Sequence, residues 1–196
     1  MPNAPAFTAL LFGLRGCLVD FGGRSLEAAQ DVPVHPTPGA LDVLDWLRHH
    51  DVPCAWLDDV APEHGRHLSR PLPDWLRAVH HGAAKPWPAP DACWQALMQI
   101  EAGRLDGCVL ISGEPRLLQA GLNAGLWTIG LAACGPLCGL SETQWQALDD
   151  KQREQRRGKA TLQLFGLGVH SVIDHLQELA DCLADIGQRR LKGEKP

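Results

Sequence analysis

The side chains best suited to chemistry in this chain stand just after short apolar runs. Asp58 and Asp59 follow Cys54-Ala55-Trp56-Leu57, and Glu114 follows Cys108-Val109-Leu110-Ile111 by three residues. Carboxylates at neighbouring strand ends could bind a cation or act as base and nucleophile, although helix capping and loop solvation explain all three more simply. Lys85 precedes Pro86, Pro88 and Pro90. With Arg15 and the turn amides after Gly13, it could hold a small anion, while the plainer reading leaves it a solvated loop lysine. Arg15 cannot be a general acid, because a guanidinium keeps its proton. His64 and His67 have helical ligand spacing. They lack a further cysteine or carboxylate at a characteristic distance, so no metal site is expected there. The seven cysteines are odd in number and sit mostly in apolar strings, as packed, reduced thiols do. Cys134 and Cys138 do not form a CxxC pair.

Regular elements must carry these residues. The apolar run 8–12 ends at Gly13 and suits a buried strand. Thr37-Pro38-Gly39 offers a capping hydroxyl and an early proline to a helix over 38–49. Strands follow over 52–57 and 75–79, and helical periodicity resumes after Asp91, the expected cap. A strand over 108–111, a helix over 115–124 stopped by Gly125, and a strand over 126–131 come next. Ser141-Glu142-Thr143-Gln144 has capping-box spacing, a last strand spans 169–173, and a last helix spans 174–186. This alternation predicts an α/β, Rossmann-like three-layer sandwich with a mostly parallel sheet, whose sites lie at the carboxyl ends of the strands. Residues 1–186 form one expected domain, and 187–196 an expected frayed polar tail.

Composition narrows the function classes. Of 196 residues 45% are hydrophobic and 21% charged, with 18 basic against 23 acidic side chains for a net charge of −5. These proportions argue against disorder, and no apolar run approaches the ~20 residues of a membrane span. No secretory leader is visible, so a cytoplasmic location is expected. Arg153, Arg156, Arg157 and Lys159 form the one local basic stretch. It reads as a solvated helix face, so neither nucleic acid nor membrane is an expected partner. Of seven tryptophans, Trp46, Trp56, Trp94 and Trp127 are expected in the core, while Trp75, Trp87 and Trp145 are candidates either for contacting a protein partner or for local packing.

The strand ends, taken in order, resemble the four motifs of the haloacid dehalogenase superfamily, and most of all its phosphonoacetaldehyde hydrolase (phosphonatase) family. Val19-Asp20-Phe21-Gly22 resembles the end of the first motif and Lys85-Pro86, with Pro88, the third. The run 120–130 resembles the helix and strand after the fourth, and 168–174 the family's last strand. The likeness covers residues 8–180. It implies the nucleophile position at Gly13, with Arg15, Gly16 and Cys17 following where the family carries a small residue or second aspartate and then threonine. The magnesium-binding aspartates fall at Ser112 and Gly113, and the second motif ends in Asp58-Asp59 where a phosphate-binding hydroxyl is usual. Only residues 24–37 stand where the family inserts its cap and Schiff-base lysine. The implied protein is a capless, catalytically silent relative that has lost its magnesium site and uses no cofactor. It would bind a protein partner, a second copy of itself or a small phosphate-like anion, the anion through Lys85 and Arg15. A residual phosphohydrolase using Asp20 or Asp58 is the alternative, with Asp59 and Glu114 as further acids.

Overall fold

Every residue of the first strand is buried, and its side chains alternate between two cores. In the computed structural model, which describes residues 7–24, 33–79 and 85–196, β1 spans Ala9–Gly13. Leu10 and Phe12 join a core on one face of the sheet, and Ala9 and Leu11 join a core on the other, as the two-residue period of a strand dictates. A strand buried on both faces must lie within a covered sheet.

The sheet is parallel, in the order β3-β2-β1-β4-β5-β6. Its other strands are β2 (Cys54–Leu57), β3 (Arg77–Val79), β4 (Cys108–Ser112), β5 (Trp127–Leu131) and β6 (Ser171–Ile173). Helices α1 (Ala40–His49) and α7 (Leu179–Leu191) cover one face through Leu44, Leu47, Leu183 and Ile186. Helices α3 (Asp91–Gln99) and α4 (Pro115–Asn123) cover the other through Ala96, Leu97, Leu117 and Ala120. Chain order reverses between β1 and β4, which opens a crevice at the carboxyl ends of those two strands. Register aligns the crevice walls, since Gly13 pairs with Leu57 and Phe12 with Ile111.

Several local expectations are corrected. Thr37 does not cap α1; its hydroxyl donates to the Cys17 carbonyl, and the cap is Gly39 at φ 80°. A Cβ on Gly39 would stand 2.5 Å from the Gln177 nitrogen, so the close approach of the Leu176–Glu178 turn requires glycine there. Asp91 is the first residue of α3 rather than its cap. The seven-residue helix α2 (Pro62–Leu68) has no counterpart among the expected elements, because a polar run this short shows no apolar stripe. The capping box at Ser141 holds only the short α5 (Glu142–Gln146), and a second one at Asp149 starts α6 (Asp150–Gly166). The final helix passes through a buried Gly187 to Leu191, beyond the expected start of the tail. Arg189 and Arg190 anchor it to the His170 carbonyl and the Asp106 carboxylate.

The tryptophans also divide differently. Trp56 and Trp127 are buried, but Trp46 and Trp94 are 41% and 45% exposed, while Trp87 is buried instead of facing a partner. All seven cysteines are unpaired thiols. Burial raises those of Cys54, Cys93 and Cys134 to about 12. No described helix is long and apolar enough to cross a membrane. His80, His81 and residues 25–32 of the 24–37 segment lie outside the described residues.

Candidate functional site

Where β1 stops, the chain turns at once. Leu14 continues the ladder by donating to the Leu57 carbonyl at 3.0 Å, and the Gly16 amide donates forward to the carbonyls of Val19 and Asp20 at 2.8 and 3.0 Å. Gly16 takes φ 62° inside this turn, a conformation open to glycine at little cost. The tight turn swings Arg15 across the end of β2.

Arg15 meets Asp58 there. Its Nε donates to both carboxylate oxygens at 3.0 Å, its Nη2 to Oδ1 at 2.7 Å, and its backbone amide to Oδ2 at 3.2 Å. Asp58 Oδ1 also accepts the amides of Asp59 and Val60 at 2.8 and 3.3 Å, while Asp59 takes the remaining side of Arg15 Nη2 at 2.6 Å. The side chains of Arg15 and Asp58 are only 10% and 4% exposed, whereas that of Asp59 is 50% exposed. Burial works against the guanidinium charge, but the hydrogen bonds and charge of Asp58, then the charges of Asp59 and Asp20, outweigh it and raise the Arg15 pKa. A forked guanidinium matched to a carboxylate is the strong form of such a pair. Asp58 is therefore neither a loop-solvated residue nor a helix cap.

Beside this pair the backbone is packed too closely for side chains. A Cβ on Gly13 would fall 2.5 Å from Ser112 Oγ and 3.2 Å from Ser112 Cβ. One on Gly113 would fall 2.5 Å from Gly135 Cα and 2.7 Å from the Gly16 carbonyl oxygen. Ser112 is fully buried, and its Oγ accepts the Glu114 amide at 3.0 Å. Glu114 caps α4 by accepting the Arg116 amide at 3.1 Å, the capping role expected of it. The Arg116 guanidinium donates to the Trp87 carbonyl.

Together these residues line a cleft of about 260 Å³. Its charged walls are Arg15, Arg116, Asp58, Asp59 and Glu114, and its floor includes Gly13 and Ser112. Lys85 is exposed and, among the described residues, does not belong to the lining. Asp20 stands outside the lining too, half-buried at φ 55°. The structure thus gathers Gly13, Arg15, Asp58, Asp59, Ser112 and Glu114 in one place, and separates Lys85 from them. Arg116 is the charged cleft residue that sequence reasoning missed. Its one signal was its position in the first turn of a helix that starts at a strand end.

No protein-family model matches the chain. Over 172 residues it is 31% identical to the phosphonoacetaldehyde hydrolase of Salmonella enteritidis PT4, covering 82% of this chain and 62% of that protein. It is likewise 31% identical to the phosphonoacetaldehyde hydrolase of Aeromonas hydrophila, covering 60% of it, so the chain spans about three fifths of these relatives' length. A solved structure 58% identical in sequence superposes with a TM-score of 0.92, over 97% of this chain and 100% of that one. The phosphonoacetaldehyde hydrolase like protein from Oleispira antarctica superposes end to end with a TM-score of 0.87 at 20% identity. A HAD family hydrolase from Deinococcus radiodurans R1, solved with bound phosphate and sodium, gives 0.63 at 22% identity, covering 94% of this chain and 98% of that one. The parallel sheet with helices on both faces is the core of the haloacid dehalogenase class. Within that class the chain is phosphonatase-like, similar in sequence to phosphonoacetaldehyde hydrolases over 82% of its own length.

Magnesium is the ion this class implies, and the residues at hand do not fit it. Hard, near-octahedral coordination calls for at least one accessible carboxylate. Gly13, Ser112 and Gly113 supply none, the Asp58 oxygens are occupied by Arg15 and two backbone amides, and the other cleft carboxylates, Asp59 and Glu114, are engaged by Arg15 Nη2 and by the Arg116 amide. Among the described residues no group of three or more His, Cys, Asp and Glu side chains could hold a metal ion.

Proposed function

We propose that this phosphonatase-like protein is a pseudoenzyme that works by binding a macromolecular partner instead of turning over a phosphorylated substrate. The observation that carries this reading is the contact between Gly13 and Ser112: a nucleophilic side chain at Gly13 would need the space that Ser112 Oγ fills. The Arg15–Asp58 pair supports it, because the buried acid nearest the cleft floor is held as a partner for a guanidinium. Phosphoryl transfer depends on cations that neutralise the transferring group. Here three carboxylates face two guanidinium groups across the cleft, and the positive charge of Arg15 is already met by Asp58 and Asp59. A small phosphate-like anion is therefore a weaker candidate than a protein surface. Seven unpaired thiols suit a reducing compartment such as the cytoplasm.

The test is magnesium-dependent release of phosphate from phosphonoacetaldehyde and from a simple phosphate ester, with the native chain beside Lys85→Ala. No release above a protein-free control is the expected outcome, and inorganic phosphate should leave the thermal midpoint unchanged. Magnesium-dependent turnover abolished by Lys85→Ala would restore the alternative, a hydrolase with a relocated nucleophile among Asp20, Asp58 and Asp59. A phosphate-dependent rise in the midpoint would restore the anion reading.

A further inference from the structure

A cavity of about 340 Å³ opens where β2 and β3 begin, at the end of the sheet opposite the cleft. Its walls include Trp75, which packs against the core, and the charged residues Arg48, Arg77, Asp51 and Glu101. Positive and negative groups balance there. Both guanidiniums are held in place by their surroundings: Arg48 lies over the Trp75 ring at 5.7 Å, and Arg77 Nη1 donates to the Gln99 carbonyl at 3.1 Å. All four charged residues are exposed, and among the described residues none of them joins an ion pair. Opposite charges thus share one cavity without neutralising one another.

The two carboxylates stand where a helix least favours them. One residue beyond the C-caps of α4, α6 and α7 the chain takes positive φ, and the residue is glycine each time: Gly125 at 75°, Gly168 at 94° and Gly193 at 87°. Helices α1 and α3 close in the same way. The amides of Asp51 and Val52 return to the Arg48 and Leu47 carbonyls at 3.1 Å, and those of Glu101 and Ala102 to the Met98 and Leu97 carbonyls at 3.1 and 2.9 Å. Here, however, the residues at positive φ are Asp51 at 52° and Glu101 at 58°. A Cβ strains that conformation, and a carboxylate there meets the negative end of the helix dipole. The helix ends that break both local rules are the two that line this cavity, and such breaks gather where residues serve a ligand instead of the fold.

The layout of charge selects the ligand. A simple anion would face Asp51, Glu101 and the carbonyl ends of α1 and α3, a simple cation would face Arg48 and Arg77, and an apolar molecule would satisfy none of them. A molecule that carries both charges a few bonds apart answers all of them at once. We propose that this cavity binds a free α-amino acid with a large apolar side chain, its carboxylate on Arg48 and Arg77, its ammonium on Asp51 and Glu101, and its side chain against Trp75. A neighbouring cavity of about 440 Å³ shares Arg48 and Trp75 and adds Leu41 and Pro73, which gives such a side chain room. The site stands at the other end of the sheet from the cleft and is independent of the partner-binding role, so the failure of either reading leaves the other in place.

Calorimetric titration of the full chain with L-phenylalanine and L-leucine tests it, beside glycine, N-acetyl-L-phenylalanine and L-phenylalaninamide. The two large amino acids should bind. Glycine, which lacks the side chain, the N-acetyl compound, which lacks the ammonium, and the amide, which lacks the carboxylate, should each bind about tenfold or more weakly than L-phenylalanine. Arg77→Met should lose about tenfold in affinity for L-phenylalanine and discriminate less between it and the amide, while Glu101→Gln should lose about tenfold and discriminate less between it and the N-acetyl compound. A general disturbance of the fold does not produce losses matched in this way to one end of the ligand. A native chain that binds neither large amino acid overturns the proposal. Equal binding of the N-acetyl compound, the mark of an anion site, or of the amide, the mark of a cation site, overturns it as well. If Arg77→Met does not fold, undiminished affinity in Glu101→Gln, which keeps the size and shape of the side chain, overturns it.

Discussion

Two arginines hold opposite ends of the same sheet, by different means. At the carboxyl end, Arg15 is nearly buried and answers carboxylates, Asp58 within 2.7 Å and Asp59 within 2.6 Å. At the amino end, Arg189 lies over the buried Trp127 ring at 4.9 Å, donates to the His170 carbonyl at 2.9 Å, and meets Glu194 at 2.8 Å near the surface. The first arrangement neutralises a charge that cannot reach water. The second leaves no buried anion behind when the arginine is removed, so the two ends should fail differently.

Arg15→Ala should produce the largest loss, about 3–5 kcal/mol in denaturant unfolding, because it strands the Asp58 carboxylate in a buried position. Replacing both partners, Arg15→Met with Asp58→Leu, should recover most of that loss. A double variant as unstable as the single one would break the comparison. Gly13→Asp comes next. It should cost about 1–3 kcal/mol through collision with Ser112 and confer no phosphatase activity, and Ser112→Gly in the same chain should relieve part of that cost. Magnesium-dependent activity in Gly13→Asp would mean that the packed floor yields easily.

At the other end, Arg189→Ala should cost about 1–2 kcal/mol, the scale of a cation–π contact and one hydrogen bond. The smallest effect is that of pH. Burial first, and the charge of Arg189 second, lower the His170 pKa, and the Thr128 amide donates to His170 Nδ1 at 3.0 Å, which requires that nitrogen to be unprotonated. An unfolded chain binds a proton there near pH 6.5, whereas the folded chain resists until a lower pH. Stability from this site is thus complete above the unfolded value and is lost as pH falls from it toward the folded one. His170→Gln should flatten this part of the pH–stability curve, and Arg189→Ala should narrow the window. An acid limb unchanged by His170→Gln would assign the sensitivity to other groups.

How legible the two ends were in the sequence also differs. The cleft positions Gly13, Asp58 and Ser112 could be chosen because apolar runs of strand length end at them, and parallel sheets place sites at such ends. His170 and Arg189 carried no comparable mark. They lie 19 residues apart, His170 in the bend before β6 and Arg189 in α7, and nothing in local spacing predicts that one will donate to the other across Trp127. Lys85 shows the converse, since a loop lysine followed by prolines resembled a motif yet, among the described residues, stands outside the cleft lining.

The alternation of buried runs and amphipathic stretches, a local property written in periods of two and 3.6 residues, by itself determined the parallel α/β sheet and the place of its crevice. That Gly13, Ser112 and Gly113 carry no carboxylate was equally plain, because residue identity at a strand end needs no folding to be read. Tertiary structure alone decided that Arg15 is matched to Asp58, that Ser112 fills the space beside Gly13, and that Trp46 faces solvent while Trp87 does not. Those facts depend on distances between segments 40 to 100 residues apart, which the chain acquires only when helices and sheet close on one another and exclude water from the groups between them.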